Sequence, residues 1–225
     1  MTRKTRLTPI ATRIAAYGVV AALVAPLLSG CLAAVGVGAA TAVSSAADRR
    51  TVGTQVEDNT IHLKVTATVQ DKWSDNLHVN ATVYNRKVLL TGEVPDQATA
   101  SEIGRLVTNI PNVQGVINEL QVAGISALTA RSNDAFITTK VKAALLDAQD
   151  VGAATFKVTT EAGVVYLMGL VTAREADRAT DIAATQSGVR KVVRVFELIS
   201  EEELVRMRKT NSGELKRSNS GTPAP

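Results

Sequence analysis

The chain has 225 residues, room for one large domain or two small ones. Apolar residues make up 45% of it but aromatics only 3%, so any core rests on Val, Leu, Ile and Ala. The formal charge of +4 invites an anionic partner, yet Arg3, Lys4, Arg6 and Arg13 crowd into a leader without Asp or Glu. With those four set aside the basic and acidic residues balance, and global charge argues against nucleic acid as a partner.

Residues 1–13 are basic and polar. Ile14 to Leu28 is apolar, broken only by Tyr17, Gly18 and Pro26, and the small residues Ser29 and Gly30 follow. A charged start, a short apolar segment and small residues are the layout of a secretory signal, here 1–30. A spanning helix needs about 20 apolar residues. The stretch from Leu32 to Ala42 keeps a spanning anchor open as an alternative, although it is Gly- and Ala-rich. Leu28-Ser29-Gly30-Cys31 resembles the lipobox of bacterial lipoproteins, in which the Cys is diacylated and becomes the mature N-terminus. Cys31 is the single cysteine, so no intramolecular disulfide can form, and lipidation gives the lone thiol a use. Acyl chains, at about 0.8 kcal/mol per buried CH₂, hold a soluble body on a bilayer. That resemblance, with Leu32 rather than Asp after the Cys, implies the outer membrane, with the body facing the periplasm. Residues 31–53 read as the acylated Cys and a flexible tether.

The remainder repeats itself. Asp58, Ile61, Val65 and Ala67 match Asp134, Ile137, Val141 and Ala143. Val88, Leu90, Gly92 and Val94 match Val165, Leu167, Gly169 and Val171, and Val113, Val116 and Ile117 match Val189, Val192 and Val193. Within each copy a helix with apolar residues four apart (Ile61, Val65, Val69) comes first, with Thr68 the polar member of its stripe. Leu77-Val79-Ala81-Val83 alternates as a half-buried strand. Tyr84 to Lys87 forms a turn, matched by Thr160 to Gly163, and Val88 to Gly92 returns as a second strand. A second helix is predicted near Gln97–Thr108 and Arg174–Thr185, with Pro111 and Gly188 at the exits. The last strands are Val113–Leu120 and Val189–Leu198. The fold class is α+β: two tandem αββαβ domains, each a small mixed sheet with two helices on one face and a right-handed crossover. They span 54–123 and 133–200, with a linker at 124–132 and a charged, disordered tail at 201–225. The lipobox, Arg50-Thr51-Val52-Gly53-Thr54-Gln55, the strand-end glycines Gly92 and Gly169, and Val164-Val165-Tyr166-Leu167-Met168-Gly169-Leu170-Val171 together resemble the BON domain family, in its dual-domain outer-membrane lipoprotein form.

Catalytic chemistry is hard to find. His62 and His78 are the two histidines, His62 beside the core stripe and His78 on the outward phase of a strand, with neither a partnering Cys nor an acidic cluster nearby. No metal site is expected. There is no nucleophile elbow, and Gly36-Val37-Gly38 lies in the tether rather than between a strand and a helix. The reading is of a protein that is not an enzyme and needs no cofactor. Glu201-Glu202-Glu203 reads as a solvated helix start, and Arg206, Arg208, Lys209, Lys216 and Arg217 give the tail its basic character.

One surface separates the copies. On a helical wheel the first helix of the second copy sets Phe136, Thr139, Ala143 and Leu146 opposite the core stripe of Ile137, Val141, Ala144 and Leu145, with Lys140 and Lys142 flanking. The equivalent positions of the first copy are Thr60, Leu63, Ala67 and Gln70. An apolar outer edge between lysines suits the headgroup region of an anionic bilayer; packing against the first copy or a protein partner are the alternatives. The BON resemblance implies phospholipid binding and a role in envelope integrity. It leaves an interaction module for periplasmic envelope or division-site proteins as the rival function.

Overall fold

The computed structural model describes residues 48–73 and 77–207. The signal segment, Cys31, the tether up to residue 47 and the basic tail from Arg208 lie outside the described residues. The first repeat runs α1 (Val52–Trp73), β1 (His78–Tyr84), β2 (Lys87–Val94), α2 (Gln97–Thr108) and β3 (Gly115–Val122). The second runs α3 (Leu128–Asp147), a 3-10 turn at Ala153–Thr155, β4 (Lys157–Glu161), β5 (Val164–Val171), α4 (Ala173–Ala184) and β6 (Lys191–Leu198). Each repeat forms a three-stranded sheet, ordered β1-β2-β3 and β4-β5-β6. The hairpin pair is antiparallel and the crossover pair parallel. The sequence expectation of two αββαβ domains holds.

The hairpin turns depend on the helix beside them. Asn85 and Arg86 adopt φ of 49° and 62°, Ala162 and Gly163 of 48° and 72°. Two successive left-handed residues match the twist of flanking strands, but they cost energy when the residues are not glycine. The cost is offset by a buried carboxylate. Asp58 on α1 accepts the Asn85 and Arg86 N–H groups at 2.8 and 2.7 Å, and Asp134 on α3 accepts those of Ala162 and Gly163 at 2.9 and 2.8 Å. The repeated aspartate therefore joins helix and hairpin in each domain. At the helix exits Gly188 has φ of 94°, and Asn112 fills the same place in the first repeat at 72°.

Alternate strand residues serve two layers. Val88, Leu90 and Val94 face α1 and α2, and Val165, Leu167 and Val171 face α3 and α4. The opposite phase, with Tyr84, Leu89, Tyr166, Met168 and Leu170, forms a third apolar cluster between the two sheets. Both outward sheet faces are thus covered by each other, and the helices lie outside.

The last strands each begin two residues later than predicted, and three domain boundaries also differ from the sequence expectation. Residues 128–132, assigned to the linker, are the opening turns of α3, because Leu128 to Ser132 contains no helix breaker and the Arg131 guanidinium reaches back to the Ser126 carbonyl at 3.0 Å. The tail does not begin at 201: residues 201–207 are helical and Leu204 is buried. The last residues of the supposed flexible tether are fixed. Arg49 makes a bidentate pair with Glu175 at 2.6 and 2.8 Å and donates to the Leu170 carbonyl, while Arg50 pairs with Asp48 and Asp58 and stacks on the Tyr84 ring at 4.1 Å. Burial disfavours the Glu175 charge, but Arg49 and the Thr172 N–H outweigh it and hold the carboxyl below the ordinary range.

Two outcomes follow for stability. Arg49→Ala leaves Glu175 buried without its partner and costs about 3–5 kcal/mol in urea denaturation at neutral pH. Because the Glu175 pKa is lowered, that contribution is present above the ordinary carboxylate pKa and fades as pH falls through the lowered one, so the gap between parent and variant narrows in acid. Gly92→Ala is more damaging than Gly169→Ala. At Gly92, φ is 116° and a Cβ would lie 2.0 Å from the His78 carbonyl oxygen, whereas at Gly169 the nearest atom is the Thr155 oxygen at 2.9 Å. Comparing the two denaturation midpoints checks this.

Candidate functional site

The outer face of α3 is built by an ordinary amphipathic logic. Asp134, Ile137, Val141 and Leu145 point inward and are buried. That leaves the opposite azimuth to Phe136, Thr139, Ala143 and Leu146, all of which are exposed. Phe136 is 61% exposed and Leu146 72%, so neither packs against the first domain and that alternative is removed. Thr139 turns its hydroxyl back to the Ala135 carbonyl at 3.0 Å, leaving its methyl for the surface.

The flanking lysines differ from each other. Lys142 is exposed. Lys140 is half-buried; its ammonium lies 4.8 Å from the centroid of the Phe136 ring and donates to the Ser187 carbonyl and, at 2.8 Å, to the Ser187 hydroxyl. The loop between α4 and β6 thereby holds one edge of the face in place. The charge beside Phe136 is fixed in position, whereas Lys142 stands against solvent.

Two features of this surface escaped the sequence reading. Leu128, 74% exposed, lies eighteen residues before Leu146, five turns of a 3.6-residue helix, and so shares its azimuth. The apolar face therefore runs about 27 Å at 1.5 Å per residue. Extending the wheel upstream of residue 133 reaches Leu128. The first domain is also less polar than expected: Val52, Val56 and Leu63 are exposed along α1. The contrast between the copies lies in Phe136 and Leu146 against Thr60 and Gln70.

A second group contradicts the view that His78 has no acidic cluster nearby. The face of β1 that points away from its own helices is where the second sheet docks. His78 Nδ1 lies 2.9 Å from Glu93 Oε2 and 3.8 Å from Glu161 Oε1. Asn80 donates to Glu161 Oε2 at 2.9 Å and lies 3.2 Å from His78 Nε2. Burial raises the Glu161 carboxyl above its ordinary range, against the Asn80 hydrogen bond and the nearby His78. His62, by contrast, is exposed, with its Nδ1 3.0 Å from the Ala81 carbonyl.

Among the described residues no helix is long and apolar enough to cross a membrane. The BON domain profile matches residues 57–124 and 133–199. The chain is 39% identical over 174 residues to the outer membrane lipoprotein DolP of Haemophilus influenzae, covering 76% of this chain and 90% of that protein. It is 31% identical to the 21 kDa hemolysin of Actinobacillus pleuropneumoniae, over 68% of this chain and 79% of that one. The osmotically-inducible protein Y of Escherichia coli is 32% identical over 63% of this chain and 72% of its own length. With both repeats matched and a relative of this identity covered almost end to end, the chain belongs to the BON domain family, as a dual-domain outer-membrane lipoprotein.

Proposed function

We propose that the protein is non-catalytic, is held on the outer membrane through an acylated Cys31, and binds anionic phospholipid through the outer face of α3 in support of envelope integrity. The observation that carries this reading is the exposure of Phe136 and Leu146 beside two lysines. Exposing large apolar side chains to water gains nothing for folding. Full burial of each in a bilayer recovers about 1.5–3 kcal/mol, and interfacial insertion about half of that. Each lysine near an anionic surface adds about 1 kcal/mol. Lys142 supplies the mobile charge, and Lys140, held by Ser187, supplies a fixed one next to the ring.

Flotation of the mature, unlipidated protein with liposomes of graded anionic content tests the site, because acyl chains would hold any variant on the bilayer. Phe136→Glu combined with Leu146→Glu abolishes binding and leaves the circular dichroism spectrum unchanged. Lys142→Glu weakens binding about fivefold or more, and added salt closes the difference because that share is screened. If the double glutamate variant floats as well as the parent, α3 is not the lipid surface. If it floats normally but loses a periplasmic protein partner, the interaction-module reading replaces this one.

The anchor has its own test. Mass spectrometry of protein extracted from membranes should show an acylated Cys31 as the first residue. An intact leader in the mature protein would refute it.

A further inference from the structure

We propose that His78, Glu93 and Glu161 form a binding site for a zinc-like divalent cation at the junction of the two sheets. One imidazole nitrogen and two carboxylate oxygens lie within 4.8 Å of one another. The separations of 2.9 and 3.8 Å from His78 Nδ1 bracket the roughly 3.3 Å edge of a tetrahedron with bonds near 2.0–2.1 Å. The three side chains come from two domains and are 14%, 8% and 5% exposed.

With both carboxylates ionised, this space holds an excess of negative charge that a cation would offset. Two buried carboxylates face one imidazole, which carries at most a single positive charge. The other cation of the adjoining cleft, Arg131, gives its Nε and Nη2 to the Ser126 carbonyl at 3.2 and 3.0 Å. Asp134, also on the cleft, has its carboxylate taken up by the turn at Ala162 and Gly163.

An unsatisfied hydroxyl points the same way. Thr91 is 1% exposed, pairs with Asn80 across the hairpin and shares the inter-sheet face with Glu93, and its Oγ1 has no hydrogen-bond partner. Ser126, whose N–H donates to Glu93 Oε2 at 3.3 Å, likewise has a buried hydroxyl without a partner. Buried polar atoms of this kind are rare and call for a water or an ion beside them. The cleft of about 440 Å³ lined by His78, Asn80 and Glu161 gives access and room for a water as fourth ligand.

A nitrogen with two carboxylate oxygens favours zinc over magnesium or calcium, which take all-oxygen shells. Ligation at Nδ1 moves the imidazole proton to Nε2. That proton faces the Asn80 amide nitrogen, so filling the site requires Asn80 to release Glu161 Oε2 and shift its oxygen toward the imidazole.

The test uses the full chain in detergent, stripped with chelator and titrated with Zn²⁺, with Mg²⁺ as the control. One Zn²⁺ binds saturably per chain, raises the melting temperature and is not replaced by Mg²⁺. His78→Gln and Glu161→Gln each weaken uptake at least about tenfold, the loss expected even for an outer-shell partner, whereas His62→Gln leaves it unchanged. Should either variant fail to fold, the parent chain decides. In the His62→Gln background the single remaining imidazole changes tautomer by nitrogen NMR on adding Zn²⁺, and Co²⁺ gives the visible bands of a four-coordinate site. Absence of saturable uptake by the parent, uptake that survives both substitutions, or an imidazole that does not respond overturns the site. Loss of the α3 lipid surface would leave these results untouched.

Discussion

Each central strand is buried on both faces, and most of the architecture follows from that. A three-stranded sheet with helices on one side leaves its other side to be covered. β2 and β5 carry large apolar groups in both phases, so water on the second side would be costly. Docking the sheets back to back removes Leu89, Tyr166, Met168 and Leu170 from solvent together. It also leaves the outer faces of the helices and the outer strands β3 and β6 as the surface. A membrane or protein partner reaching the body meets the outer faces of α1 to α4 and the exposed ends of β3 and β6, at Val122 and Leu198, rather than the layer between the sheets.

The same docking brings polar strand residues into a confined layer. His78, Asn80 and Thr82 from β1 meet Thr159 and Glu161 from β4; Thr82 and Thr159 share a hydrogen bond of 3.0 Å. Lys157 donates to the Val83 carbonyl across the gap, and burial lowers its pKa. Polar groups in such a layer specify alignment, because each hydrogen bond is lost if the sheets slide. The apolar cluster supplies the driving force, and the polar ladder selects one docking geometry among many.

Much of this was legible in the sequence, and what escaped did so for physical reasons. Periodicities of four and of two residues located the helices and hairpins, and the matched positions of the two copies, such as Asp58 with Asp134 and Gly92 with Gly169, exposed the repeat. Val164-Val165-Tyr166-Leu167-Met168-Gly169-Leu170-Val171 is apolar in both phases, which signals a strand covered twice, although nothing in the run names the covering surface. Half of the His78 cluster could have been found: counting outward from the turn at Asn85 and Arg86 pairs His78 with Glu93. Glu161 could not, since its approach depends on how two domains dock. Asp58 and Asp134 were visible as a repeated pair, yet their role appears only when the turn N–H groups are known to point at them. The outer face of α3 was legible except at Leu128, because the helix begins before the repeat does.

Arg49 and Arg50 are adjacent in the chain but grip different domains, the first through Glu175 and the second through Asp58. Tension arriving along the chain from upstream therefore enters both domains at once. It does not begin by peeling α1 from its sheet, because two buried ion pairs stand ahead of that helix and must open first. Forced unfolding is governed by the barrier to opening rather than by the equilibrium between states, so a pull on the upstream chain meets these two ion pairs before it reaches α1.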